Sequence, residues 1–463
     1  MTDICEKNVV EGANGMGANG MGTNGMGTNG MGANGMGTKG MGTNAAGTTS
    51  AMGTNAMGTS VAGTSVSGTS AAGTTSANAT IQVTEEINEW EDLNAKTELL
   101  RGIYANGFER PSPIQKQAIL PIFSKRDVIA QAQSGTGKTA CFSIGTLQLI
   151  DTTRNVTQAM ILSPTRELSI QTKSVLDAIG RLFPSLCTQL LIGGTSTDEN
   201  IQLLRDKTPH VVIGCPGRIH DMLKRKRLAT KDFKIFILDE ADELLSSGFK
   251  DQVYNIFQFM PSNVQVALFS ATMPPELNIL TNKFMRNPVK ILVKNEQLTL
   301  EGIKQFYVAL DNDDSKYETL KDIYSSLTLS QSIIYCNSVK RVNDLYVAMN
   351  SDNYPVCQIH SGMEKEERLR NYEDFRSGKH RVLISSNVTA RGIDVQQVST
   401  VINFDVPNCV HTYLHRIGRS GRWGRKGVGI NFVTQRDMRQ LKLIEQHYHT
   451  TIAELTENWS DSM

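Results

Sequence analysis

Short apolar runs rich in β-branched residues recur between helical stretches from Ile81 onward, and this alternation is the strongest constraint on the fold. The first series is Val128–Ala130, Ala159–Leu162, Val211–Gly214, Phe233–Leu238 and Val264–Phe269. The second is Ser332–Cys336, Val356–Ile359, Arg381–Ser385, Thr400–Phe404 and Gly427–Val433. Strands that alternate with helices build parallel sheets covered on both faces, so the expected class is α/β. Two series predict two such domains, at 81–293 and 302–463, joined by a polar linker at 294–301. In open sheets of this kind, ligands bind beyond the C-terminal ends of the strands.

Residues 1–80 are unlike the rest. A five-residue unit, Gly-Ala-Asn-Gly-Met and its Thr variants, repeats from Gly12, and the only charged residues are Asp3, Glu6, Lys7, Glu11 and Lys39. With no aromatic residue, such a segment buries too little apolar surface to offset its ordering entropy, and it reads as a disordered low-complexity tail. Its methionines suit a weak partner contact, but a simple spacer is the plainer reading. Over the whole chain Lys+Arg is 47 and Asp+Glu is 46, which excludes a uniformly basic nucleic-acid coat but not local basic patches. The 7 cysteines form no CxxC pair, which argues against a disulfide framework or a cysteine-rich zinc site and suits a reducing compartment. No apolar run reaches the roughly 18–20 residues of a membrane span, and no secretory signal is expected.

Three motifs carry chemistry. Ala132-Gln-Ser134-Gly135-Thr136-Gly137-Lys138-Thr139 follows a strand run and precedes an apolar helical stretch. Its glycines let backbone N–H groups turn toward phosphate, Lys138 reaches the β/γ-phosphates, and Thr139 holds Mg²⁺. Ala132 stands where the general pattern has Gly. Phe233–Leu238 leads into Asp239-Glu240-Ala241-Asp242. There Asp239 suits Mg²⁺ held mostly through water, Glu240 suits a group that orients or deprotonates the attacking water, and Asp242 suits a bridge to other motifs. His415-Arg416-Ile417-Gly418-Arg419-Ser420-Gly421-Arg422 offers rigid guanidinium forks for phosphate oxygens. Chemistry alone leaves open whether they serve the γ-phosphate as arginine fingers or an RNA backbone directly.

The order of these motifs resembles the DEAD-box RNA helicases of superfamily two over essentially all of residues 85–463, and closest to the initiation factor 4A subgroup, including its exon-junction paralogue. The resemblance implies two RecA-like domains that bind ATP and Mg²⁺. It makes Phe108, Arg110 and Gln115 the adenine enclosure, with Trp90 as the upstream aromatic. Ser134, Gly135, Thr136, Gly137, Lys138 and Thr139 become the phosphate loop, and Asp394, near Gly392, the ribose contact. Arg419 and Arg422 become γ-phosphate fingers beside the catalytic Lys138, Asp239 and Glu240. Asp242, Ser270, Thr272 and Arg416 take the coupling roles. Pro164, Thr165, Arg166, Gly194, Pro216, Gly217, Arg218, Arg368 and Ser386 become RNA contacts, with little sequence preference because backbone contacts carry none. The segment Ile291–Tyr307 is similar to the subgroup's linker region.

Four departures from the pattern stand out. Cys215 replaces Thr, Ser386-Asn387 replaces Thr-Asp, Ser361-Gly362 replaces Gly-Asp, and Lys365 replaces the Gln of Gln-x-x-Arg. All lie in RNA-gripping or coupling motifs, and a gained Lys beside a lost Asp shifts local charge toward phosphate. Lys224-Arg225-Lys226-Arg227 reads more readily as a solvated helix end than as a nuclear signal.

The expected activity is ATP-dependent binding of single-stranded RNA and local unwinding of short duplexes, in translation initiation and in the cytoplasm. The nucleus, or a host cytoplasm for a viral chain, is the alternative location. The rival activity is an ATP-gated RNA clamp of the exon-junction type with little turnover, and a DNA-directed helicase is a distant third. The resemblance also implies a helical-repeat translation scaffold as partner, and no membrane.

Overall fold

The computed structural model describes residues 86–245, 248–292, 302–326, 331–390, 398–420 and 427–455. The tail at 1–80, the linker at 294–301, Gly392, Asp394 and Arg422 lie outside them. All the described residues belong to one unit, Ala77–Met463.

That unit is α/β and holds two seven-stranded sheets. The first contains β1 (Val128–Gln131), β2 (Ala159–Leu162), β3 (Thr188–Leu191), β4 (Val211–Gly214), β5 (Ile235–Asp239), β6 (Gln265–Ser270) and β7 (Val289–Ile291). The second contains β8 (Ile303–Leu310), β9 (Gln331–Tyr335), β10 (Val356–Ile359), β11 (Val382–Ser385), β12 (Val398–Asn403), β13 (Gly427–Thr434) and β14 (Ala453–Glu454). The spatial orders are β3-β4-β2-β5-β6-β1-β7 and β10-β11-β9-β12-β13-β8-β14. Every pairing is parallel. Subtracting seven from each strand number of the second order gives the first, so the chain builds the same frame twice.

The strand runs explain the layers. In the first sheet Val128, Ala130, Ile161, Ile213 and Ile237 face one apolar cluster, while Ile129, Met160, Leu162, Val212 and Leu238 face the other. The second sheet alternates in the same way, Ile333, Leu383 and Val401 against Ile334, Ile384 and Ile402. Both faces are therefore apolar, and each fully buried branched side chain contributes about 1.5–3 kcal/mol.

Four strands add to the runs singled out in the sequence, and all lie at or next to a sheet edge. β3 and β10 edge their sheets on one side and β7 and β14 on the other. Of these, Thr188–Leu191 and the two-residue β14 lack an unbroken apolar run, and Val289–Ile291 exposes Lys290. β8 opens with Lys304-Gln305 before the apolar run Phe306–Leu310 and is only partly buried, and its first residues fall in the stretch read as the linker region.

In the first sheet, β6 lies between β5 and β1, with Asp239 opposite Phe269 and Gln131 opposite Ser270. The C-terminal ends of β1, β5 and β6 thus bring together the glycine-rich loop, the acidic motif and Ser270-Ala271-Thr272.

Candidate active site

The glycine-rich loop turns on Gly135 and Gly137, both at positive φ (79° and 93°). Gly137 starts the helix Lys138–Leu149. A Cβ there would sit 2.6 Å from Gln115 Nε2, so only glycine fits the turn at this close approach. Gln115 is buried; its Nε2 donates to Gly137 O (3.1 Å) and its Oε1 accepts from Ser112 N (2.8 Å). Thr136 Oγ1 ties the loop internally to Gln133 O. Trp90, fully buried, donates its indole N–H to Phe108 O and so fixes the backbone that presents the Phe108 ring. Arg110 is exposed and 3.9 Å from Glu89. Phe108, Ser134, Lys138, Asp239, Glu240 and Arg419 line a cavity of about 190 Å³.

Charge is concentrated on the cavity floor. Lys138 Nζ lies 3.6 Å from Glu240 Oε2, with both side chains buried. Neither atom makes a hydrogen bond among the described residues. Burial pushes the Asp239 carboxyl up to about 7, and the Glu240 charge adds to this. Burial also pushes Glu240 upward, but Lys138, His415 and Arg419 outweigh it and hold that carboxyl below its ordinary value. A buried ammonium without a hydrogen-bond partner beside an acid that resists ionisation fits an anionic phosphate accompanied by a cation. Thr139 and Asp239 stand where Mg²⁺ would be held through water.

Glu240 itself adopts left-handed backbone (φ 50°), a costly conformation for a non-glycine residue. Its N–H donates to Asp239 Oδ1 (3.0 Å) at the turn from β5 into the short helix Ala241–Leu244.

Asp242 connects the two halves of the unit. Its N–H donates to Ser270 Oγ, its Oδ2 accepts from Thr272 Oγ1 (2.7 Å), and the same oxygen lies 2.8 Å from His415 Nε2. His415 lies in the last turn of the helix Val410–Ile417 beside the second sheet. Arg419, just beyond that helix, donates to Ser134 Oγ of the phosphate loop and to its own turn at His415 O.

Arg416 does not enter the nucleotide cavity. It is fully buried and all five of its N–H donors are used. Nε donates to Asn387 Oδ1, Nη1 to Asn403 Oδ1 and Asp405 O, and Nη2 to Asn337 Oδ1 and Asn387 Oδ1. Its guanidinium also stacks on Tyr335 at 5.2 Å. No carboxylate oxygen hydrogen-bonds it among the described residues, and burial pushes it down to about 10.

A second cavity, about 810 Å³, runs between the two sheets and is lined by Pro164, Thr165, Arg166, Gly217, Arg218 and Arg368, with Cys215 and Asn387. Arg368 Nη2 donates across it to Glu167 Oε2 (2.7 Å). Gly194 is at φ 102°, and a Cβ there would meet Lys365 Cδ at 2.9 Å and Arg166 Nη1 at 3.0 Å. Pro216 opens the helix Pro216–Lys224. Arg218 holds the wall of the groove, donating to Thr195 O, Asn200 Oδ1, Thr195 Oγ1 and Ser196 O. Ser386 precedes the turn Asn387–Thr389 and is buried. Cys215 lies 3.6 Å from Ser169 Oγ, and burial pushes its thiol up to about 11, which disfavours the thiolate.

The pairings of Asp242 with His415, of Arg368 with Glu167 and of Arg416 with its asparagines carry no local sequence signal. His415 has the motif's spacing but nothing in the sequence to show that Asp242 faces it.

Residues 112–280 match the family described as DEAD/DEAH box helicase, and residues 315–424 match the helicase conserved C-terminal domain. The chain is 52% identical over 377 residues to ATP-dependent RNA helicase eIF4A of Chaetomium globosum, covering 81% of this chain and 94% of that protein. It is also 52% identical over 377 residues to eukaryotic initiation factor 4A-III homolog A of Oryza sativa subsp. japonica, covering 81% and 93%. Among solved structures it superposes on S. cerevisiae Dbp5 bound to RNA and ADP BeF3 with a TM-score of 0.75 and 35% identity, covering 81% of this chain and 97% of that one.

Proposed function

This chain belongs to the DEAD-box family and is an ATP-dependent RNA helicase of the eIF4A type, and from that premise we propose that it separates short RNA duplexes locally during translation initiation. The observation that carries the reading is a pair of contacts between the two sheets' domains. Arg419 reaches Ser134 in the phosphate loop, and Arg368 reaches Glu167 beside the groove. One closed arrangement thus completes the nucleotide cavity and the RNA groove together.

In this reading ATP lies against Phe108 and Gln115 with its phosphates on the loop Ser134–Thr139. Lys138, which makes no other hydrogen bond among the described residues, takes the phosphate charge. Thr139 and Asp239 would hold Mg²⁺, which would supply neutralisation of the phosphate oxygens. Glu240, held ionised by Lys138, His415 and Arg419, orients the attacking water and accepts its proton as the β–γ bond breaks. Arg419 stabilises the charge on the departing phosphoryl group. Asp242 bonds to Thr272 on one side and His415 on the other, so closing the domains and assembling the hydrolytic site are one event. The groove takes a single strand by its backbone, and hydrolysis reopens it. A cytoplasmic site of action and a helical-repeat translation scaffold as partner complete the proposal.

The equal identity to the 4A-III homologue supports keeping the ATP-gated clamp as the second reading. The test is ATP hydrolysis by the full chain with and without single-stranded RNA, beside Glu240→Gln. Helicase action predicts RNA-stimulated turnover that the substitution abolishes. ATP-dependent RNA retention with turnover no higher than Glu240→Gln would establish the clamp instead. RNA and DNA strands of one sequence, compared as stimulators, test the preference for RNA.

A further inference from the structure

Asn387 sits at the junction of the two sites. It is exposed and lines the groove together with Val388. Its Oδ1 also accepts two hydrogen bonds from the buried Arg416, at 2.9 Å from Nε and 2.7 Å from Nη2. Arg416 is flanked by His415, which meets Asp242, and lies one helical turn's length before Arg419, which meets Ser134.

The chemistry fixes which way the amide points. A guanidinium only donates, so it must face the carbonyl oxygen of Asn387, and the N–H₂ group is turned away from it. No hydrogen bond from Asn387 Nδ2 is formed among the described residues. The groove around it carries Arg166 and Arg368, side chains suited to an anionic polymer whose backbone oxygens accept and do not donate.

We propose that Asn387 is both an RNA-binding residue and the positioning residue for Arg416, its amide N–H₂ donating to a phosphate oxygen in the groove while its carbonyl holds the guanidinium. The proposal rests on the reading that this groove takes RNA. An aspartate, the residue of the related pattern, would hold Arg416 through the same oxygen but would present a carboxylate where the amide presents a donor. This chain therefore gains a strand contact at the residue that anchors the helix carrying His415.

Two substitutions separate the two ends of the amide. In the full-length protein, Asn387→Asp keeps the acceptor for Arg416 and removes the donor. RNA-stimulated ATPase should then show a KM for RNA raised about tenfold, roughly 1.4 kcal/mol, with kcat at saturating RNA within about twofold. Asn387→Leu removes both ends and leaves two buried donors of Arg416 without acceptors, so kcat should also fall about tenfold. Binding of a fluorescent ATP analogue without RNA should stay within about twofold for Asn387→Asp, which shows an intact fold. If Asn387→Leu does not fold, Asn387→Asp decides alone. An unchanged KM for RNA in Asn387→Asp overturns the strand contact, and an undiminished kcat in folded Asn387→Leu overturns the positioning role. A wild-type chain that RNA does not stimulate at all would overturn the helicase reading and this proposal with it, a result distinct from either variant's failure.

Discussion

The two sheets share one strand order, yet among the described residues a glycine-rich phosphate loop follows the first strand of the first sheet and not that of the second. In each, the strand that follows the domain's start leads through a loop to a helix bearing a buried lysine, Lys138 in Lys138–Leu149 and Lys316 in Ser315–Ser326. In each, that lysine faces an acid at or just past a strand end, Glu240 after β5 and Asp405 after β12. The loops differ. Between β1 and its helix lies Ala132–Gly137, whose glycines adopt positive φ; between β8 and its helix lies Asp311-Asn312-Asp313-Asp314. Asp313 pairs with Lys316 and Arg341, both at 2.8 Å, and Asp405 pairs with the same two cations at 3.3 and 3.1 Å. The second lysine pairs with two carboxylates, whereas the first makes one long ion pair and no hydrogen bond among the described residues. One frame thus yields a ligand site where the polar partners are left incomplete, and a structural ion-pair network where they are closed.

Exchanging functions between the two lysines is the strongest way to break this comparison. Lys138→Ala should lower kcat for ATP by about 10²–10³-fold, as the loss of one charge aimed at the transferring group does elsewhere, with little loss of thermal stability. Lys316→Ala should do the opposite. It leaves both carboxylates, one of them largely buried, to Arg341 alone and should cost on the order of 2 kcal/mol, read as a lower denaturant midpoint. Its kcat, measured well below the new melting point, should stay within about threefold. A large catalytic loss in Lys316→Ala would show that the second network is part of the chemistry after all.

What the sequence made legible follows the same division. The phosphate loop, Asp239 and the run of β-branched strands are local patterns, each declared by a few adjacent residues. β8 was harder to see because Lys304-Gln305 breaks the run, the strand is only half covered, and its first residues fall in the stretch read as the linker region. The pairs Arg368–Glu167 and His415–Asp242 join residues about 200 and 170 positions apart, so only the fold brings them together. Asn387 is the sharpest case. In the sequence it is a lost charge near RNA, while in the fold its oxygen is committed to Arg416, so the consequence of the substitution is set by a partner that spacing cannot reveal.

A smaller effect sharpens the comparison within the first site. Asp239 ends the central strand β5 and Asp405 lies just past the central strand β12, but burial and Glu240 push Asp239 up to about 7, whereas Asp405 sits between two cations. A carboxyl raised in the fold from 3.8 contributes no penalty below about pH 4, and the cost of ionising it grows until the pH passes about 7. Asp239→Asn should therefore stabilise the nucleotide- and Mg²⁺-free protein, by about 1–2 kcal/mol at pH 8 and by almost nothing at pH 4. Thermal melts of the two proteins across that range check the sign, since the difference between them cancels the titration of all other groups. Adding Mg²⁺ and ATP should then raise the melting temperature of the wild type far more than that of Asp239→Asn, because the cation turns the cost of this buried charge into a binding contact. An Asp239→Asn variant less stable than wild type at pH 8 would mean that the ionised carboxylate is already compensated within the fold, as Asp405 is in the second sheet.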